Sequence, residues 1–204
     1  MVPRLVRRGP ERESAFAAQQ PALTGSAAWI CCAAMNDTIF HGTIQAPFES
    51  VGIEVLPDWI DSNGHMNIAY YIVAFDRAFD QVYHQFGFVA EMMRLRNASS
   101  FTSELHVTYQ RELMAGDPIR VTTQILGFDA KRCHFIQCMY HAREGHLAAT
   151  LEWLLLHVDM TTRRVTAMPE PLQRHLARVL EAHRQIPLPP EVGRKISLDA
   201  KRPR

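Results

Sequence analysis

The chain has 204 residues, with 22 Lys and Arg against 21 Asp and Glu, a formal net charge of +1. Hydrophobic residues make up 47% and charged residues 21%, which excludes a wholly disordered, collagen-like or coiled-coil chain. The balanced charge argues against a nucleic-acid groove binder, which carries a basic excess. No apolar run nears the roughly 20 residues that span a bilayer; Trp153-Leu154-Leu155-Leu156 is only strand-sized.

Residues 1–46 read as a disordered leader. Arg4, Arg7, Arg8 and Arg12 cluster with Pro3 and Pro10, and an Ala/Gln/Ser/Gly-rich stretch follows. Its apolar segment is too weak and too far from the basic start for a signal peptide. Four cysteines are too few for a disulfide scaffold. Cys31-Cys32 are adjacent, and Cys133 and Cys138, five apart on one strand, face opposite sides. All four read as reduced thiols of a cytoplasmic protein.

Structure is expected from Phe48. Val51, Ile53 and Val55 alternate with Gly52, Glu54 and Leu56 as a short strand that Pro57 ends. A polar, turn-forming stretch runs from Asp58 to Asn67. The period then changes: Ile68, Tyr71, Ile72, Phe75, Phe79, Val82, Tyr83 and Phe86 recur at helical spacing. The spacing predicts a helix over 67–86, about 30 Å long, with Gly87 at its C-terminal cap.

Four strands are predicted next. In the first, Phe101, Ser103, Leu105, Val107 and Tyr109 share one face. Ile119, Val121, Thr123 and Ile125 form the inner face of the second, and residues 132–142 and 147–160 form the third and fourth. Short turns between them require antiparallel neighbours. Pro169 and Pro171 open a C-terminal helix carrying Leu172, Leu176, Val179 and Leu180 on one face. Residues 187–204 read as a basic tail. The fold class is therefore α+β, one long helix against a five-stranded antiparallel sheet. The last strand is apolar on both faces, which predicts a homodimer.

The informative segment is Asp61-Ser62-Asn63-Gly64-His65-Met66-Asn67. It packs a carboxylate, an imidazole and two amides into a loop that feeds a helix start. The first N–H groups of a helix have no internal partners and sit at the positive end of its dipole, where an oxyanion is stabilised. Asp61 just upstream supplies a base or nucleophile. The same residues also serve as ordinary caps, so composition alone leaves a structural loop and a site both open.

The run Pro57-Asp58-Trp59-Ile60-Asp61-Ser62-Asn63-Gly64-His65-Met66-Asn67, leading into Tyr70-Tyr71 and Phe75-Asp76, resembles hotdog-fold acyl-CoA thioesterases of the 4-hydroxybenzoyl-CoA thioesterase-like group. Residues 104–112, followed by Gly116-Asp117-Pro118-Ile119-Arg120-Val121, resemble the strand, turn and strand that follow the helix in that group. The resemblance covers about residues 48–168 and implies a hotdog domain over 47–168, a C-terminal helix over 169–186, and acyl-CoA hydrolysis with no cofactor beyond the substrate's CoA. It places Asp61 on the catalytic aspartate and the oxyanion donor near Asn67 and Ile68. His65 and Asn67 are secondary catalytic candidates. Asn63, Gly64, Ile68, Trp59 and Tyr70 are substrate-binding candidates. It also implies a homodimer or homotetramer with sites between subunits. One departure is Ile68, where many relatives carry a second Asn.

The acyl group is expected to be small or medium. The segment also resembles thioesterase modules of carnitine and betaine catabolism, and the aromatics near Asp61 could hold a quaternary ammonium. Two alternatives remain at this level: a non-catalytic acyl-CoA-binding hotdog module, and a hotdog hydratase or dehydratase. No His-x-x-x-His or Cys-x-x-Cys spacing suggests a metal. Arg111, Lys131, Arg132 and Arg143 are candidate partners for CoA phosphates.

Overall fold

The helical spacing of Phe75, Phe79, Val82 and Phe86 is realised as one buried stripe. In the computed structural model, which describes residues 43–198, this stripe lies on α1 (Ile68–Val82) and the 3₁₀ turn that continues it (Tyr83–Phe86). The predicted single helix thus tightens for its last turn, and Gly87 ends it at φ 88°, the left-handed conformation that glycine adopts without strain.

The strands are β1 (Phe48–Glu54), β2 (Ala98–Tyr109), β3 (Pro118–Phe128), β4 (Arg132–His141) and β5 (Leu147–Asp159), with the two-residue β6 (Arg164–Val165) added to the end of β5. A short α2 (Ala90–Leu95) precedes β2, and α3 (Glu170–His183) follows the sheet. The strands pair antiparallel in the order β1-β3-β4-β5-β2. The five long strands curl around α1, the expected hotdog arrangement, with β6 beyond the five foreseen.

The core joins α1 to the middle of the sheet. Phe79 meets Trp153 edge-on with ring centroids 4.6 Å apart and Phe135 at 5.3 Å, while Phe86 meets Phe135 at 4.9 Å. Ala74 and Ala78 are fully buried on the same stripe, and their small side chains let the helix approach the sheet. Ser50 Oγ donates to the Ala78 carbonyl at 2.6 Å, and Gln137 Nε2 donates to the Phe75 carbonyl at 3.3 Å.

Two strands depart from simple alternation. In β1 the register shifts between Ser50 and Ile53, with Gly52 at φ 79°. The bulge turns Val51 outward, 59% exposed, while Phe48, Ser50 and Ile53 are buried; Val51 and Ile53 do not share a face. In β2 the register shifts between Thr102 and Glu104. Phe101 therefore lies opposite Leu156, on the outer face, and Leu105 lies opposite Trp153, on the inner one. A bulge inserts one residue and flips every side chain beyond it.

The outer face of β5 is partly covered by this chain's own C-terminal segment. Glu191 is 3% exposed, and the Gly193 N–H donates to Glu152 Oε2 at 2.7 Å. Residues 191–193, within the stretch read as a tail, thus lie on the sheet, and a second copy is not needed to cover that part of it. Cys133 and Cys138 are free and buried, whereas Cys31 and Cys32 and the leader up to residue 42 lie outside the described residues.

Candidate active site

The loop between β1 and α1 is closed on itself before it is closed by anything else. Ile60 and Met66 form an antiparallel bridge. Within it the Asp61 N–H donates to the His65 carbonyl at 3.1 Å, and the Gly64 N–H donates to the Asp61 carbonyl at 3.0 Å. Gly64 stands at φ 83° with open space where a Cβ would be, so the backbone conformation, not crowding, calls for glycine.

The Asp61 carboxylate is held at both oxygens. Oδ1 accepts the Asn63 N–H at 2.8 Å, and Oδ2 accepts Asn67 Nδ2–H at 3.3 Å. Asn67 is also the N-cap of α1: its Oδ1 accepts the Ala69 N–H at 3.0 Å. One carboxamide thus ties the carboxylate to the helix start. Asn67 is both cap and positioner, two roles that the sequence left open between cap and site.

The helix N-terminus is largely spent on internal bonds. The Asn67 N–H donates to the Trp59 carbonyl at 2.9 Å, the Ala69 N–H is capped, and the Tyr70 N–H donates to the Asn67 carbonyl at 3.0 Å. Among the described residues, nothing accepts the Ile68 N–H. Of the two positions expected for an oxyanion donor, Ile68 is the one left available, and its side chain is 62% exposed.

The other candidates divide. His65 donates its Nδ1–H to the Met66 carbonyl at 3.2 Å, a bond inside the loop. Asn63 meets Asp61 through its backbone. Trp59 is 4% exposed; Tyr70 stacks on it with centroids 5.6 Å apart, and the Arg77 guanidinium lies over its ring at 5.0 Å. Its indole is engaged within the protein, and the seven-residue step from Tyr70 to Arg77, two helical turns, is the signal for that stack. Tyr71 is core, with its hydroxyl accepting the Leu113 N–H at 3.2 Å.

A residue absent from the candidate set also reaches the site. Tyr109, at the end of β2, donates its hydroxyl to the Ile68 carbonyl at 3.2 Å. An aromatic at a strand end just before a polar turn was the available signal. Of the basic residues considered for CoA phosphates, Arg111 and Arg143 lie at the loop's end of the sheet. Lys131 and Arg132 lie at the other end of β4, about 30 Å along the strand.

A cavity of about 560 Å³ opens on the outer face of the sheet, lined by His106, His134, Glu152 and Arg194 among others. None of the residues of the Asp61 loop lines it. Among the described residues, no group of His, Cys, Asp or Glu converges as a metal site.

A family model described as the thioesterase-like superfamily matches residues 55–176. A betainyl-CoA thioesterase of Pseudomonas aeruginosa is 35% identical over 144 residues, 71% of this chain and 91% of that protein. An L-carnitine dehydrogenase/betainyl-CoA thioesterase of Rhizobium sp is 32% identical over 148 residues, 72% of this chain but only 30% of that longer protein. A Staphylococcus aureus protein solved in complex with CoA superposes with a TM-score of 0.69 at 29% identity, covering 78% of this chain and 99% of that one. The DHNA-CoA thioesterase of Staphylococcus aureus, at 18% identity and a TM-score of 0.60, covers 67% of this chain and 93% of that one and shares its fold.

Proposed function

The chain belongs to the thioesterase-like superfamily and is an acyl-CoA thioesterase, and we propose that Asp61 and the Ile68 N–H carry the hydrolysis. The observation that supports this reading is the Asn67 carboxamide, which links the Asp61 carboxylate to the helix start, whose Ile68 N–H has no acceptor among the described residues. The thioester carbonyl oxygen points at that N–H, which stabilises the negative charge that develops on it.

Two routes lead from this geometry. Asp61 takes a proton from water as the water oxygen bonds to the carbonyl carbon, or its own oxygen forms that bond and gives a mixed anhydride that water then opens. In either case the carbon–sulfur bond breaks, CoA leaves as the thiolate and gains a proton, and the free acid is released. As drawn, the chemistry runs on a carboxylate, a backbone N–H and water, with no cofactor beyond the CoA of the substrate.

For the acyl group we favour a small cationic type such as betainyl, on the strength of the relatives that carry that activity. The stack of Trp59 with Tyr70 and Arg77 puts a guanidinium on the indole, so the ammonium contact is assigned to other groups. A second copy of the chain belongs on the surface where α1 exposes Ile68, Ile72 and Val73 beside the edge strand β2. This would enclose the exposed Ile68 between subunits. No helix among the described residues is long and apolar enough to cross a membrane, and a cytoplasmic setting fits the free thiols Cys133 and Cys138.

The test is free-thiol release from acetyl-, butyryl-, benzoyl- and betainyl-CoA. Betainyl-CoA is expected to give the highest kcat/KM. A preference for an uncharged acyl group would refute the cationic assignment.

A further inference from the structure

Resting on the reading of Asp61 and the Ile68 N–H as the reacting pair, we propose that Tyr109 is a positioning residue that aims that N–H. The segment from Tyr109 to Leu113 grips the start of α1 at three points. The Leu113 carbonyl accepts the Met66 N–H at 2.8 Å, the Tyr71 hydroxyl accepts the Leu113 N–H at 3.2 Å, and the Tyr109 hydroxyl donates to the Ile68 carbonyl at 3.2 Å. The Tyr109 ring stands edge-on to Tyr71, with centroids 5.2 Å apart.

The first two points are buried: Met66, Tyr71 and Leu113 have almost no exposure. The third is at the surface, where Tyr109 is 44% exposed. Ile68 itself has an exposed side chain, so packing does little to fix its orientation. The Tyr109 bond reaches across 41 residues to Ile68, whose N–H has no acceptor among the described residues. Burial raises the Tyr109 hydroxyl above the usual tyrosine range, so it remains a donor throughout neutral pH. A donor aimed at an oxyanion acts only as charge develops, so misaiming it lowers kcat and spares substrate binding.

The experiment compares wild type, Tyr109→Phe and Asp61→Asn on the fastest thioester of the four-member panel, with thermal midpoints measured alongside. The phenyl ring keeps the contact with Tyr71 and removes only the hydroxyl. The expected result for Tyr109→Phe is a kcat about tenfold lower, with KM within about twofold and a thermal midpoint lowered by no more than about 3 °C, the worth of one partly exposed hydrogen bond. Unchanged kcat in Tyr109→Phe, with Asp61→Asn inactive, would overturn the positioning role and leave the site reading standing. A raised KM with kcat retained would make Tyr109 a binding wall instead. A fall in kcat with a larger drop in thermal midpoint than that one bond explains would make it structural. Full activity in Asp61→Asn, or no hydrolysis by wild type, would overturn the site reading and the positioning role together.

Discussion

Asn67 carries two loads, and two substitutions separate them. Asn67→Ala removes both the cap on the Ala69 N–H and the donor to Asp61 Oδ2. Loss of the cap costs about 1 kcal/mol, which lowers the thermal midpoint by about 2–4 °C for a domain of this size. Loss of the donor frees the carboxylate to turn away from the helix start, and kcat is expected to fall at least tenfold. Asn67→Asp is the sharper probe. An aspartate caps as well as asparagine does, so any midpoint this variant loses comes from repulsion with Asp61 and not from the cap. It replaces the donor with a second negative oxygen at the 3.3 Å separation seen for Nδ2. Two unit charges that close repel by about 1 kcal/mol in water and about 5 kcal/mol at an effective dielectric of 20. That repulsion drives the Asp61 carboxylate away from the helix start, so activity should fall about tenfold or more. The assay is steady-state thiol release across pH 6–9 with thermal melts on the same samples. Asn67→Asp with wild-type kcat at pH 7 would refute the carboxamide link between Asp61 and the helix.

Two further predictions concern the frame of the site. His183 is fully buried, its Nδ1 accepts the Ile125 N–H at 3.1 Å and its Nε2–H donates to the Gln45 carbonyl at 3.1 Å, so the ring is held neutral. Burial lowers its pKa, and that of the buried His175 and His157, below the ordinary histidine value. With the folded values depressed, the unfolded chain binds the protons first. Stability should be constant above about pH 6.5 and decline as pH falls below it; thermal melts from pH 7.5 to 5 check this, and a flat midpoint would contradict it. Burial also pushes the Cys133 thiol up to about 12 and the Cys138 thiol up to about 11. Iodoacetamide at pH 8 followed by peptide mapping should leave both unlabelled in the native protein and label both in denaturant.

Much of this architecture was legible in the sequence, and the limits have physical causes. The switch from turn residues to helical periodicity at Ile68 located the loop and the helix, because burial of one stripe must follow the helix period. The β3-β4 and β4-β5 hairpins followed from Gly127 to Lys131 and Glu144-Gly145, but Gly116-Asp117-Pro118 does not join neighbours: β2 crosses to pair with β5, and β3 pairs with β1, because the sheet must curl around α1. The bulges at Gly52 and in β2 escaped, since a register shift depends on the partner strand. The choice between the Asn67 and Ile68 N–H groups was likewise illegible: it is decided by the Trp59 carbonyl, an acceptor eight residues upstream that only the folded loop brings within 2.9 Å. Glu191 gave no local sign of burial, because its docking on the sheet is a tertiary contact in a segment rich in proline and charge. The stack of Trp59 with Tyr70 and Arg77 was also hidden, because it joins the loop to a residue two turns along the helix that only the fold brings over the indole.

The most direct measurement is single-turnover thiol release from betainyl-CoA and butyryl-CoA by wild type and by Asp61→Asn, with CoA affinity and thermal midpoint measured on both proteins. The account predicts rapid release by wild type and a loss of at least a hundredfold in the amide variant, with folding and CoA binding unchanged. Release at the wild-type rate by Asp61→Asn would contradict it, and would move the chemistry away from the loop that feeds α1.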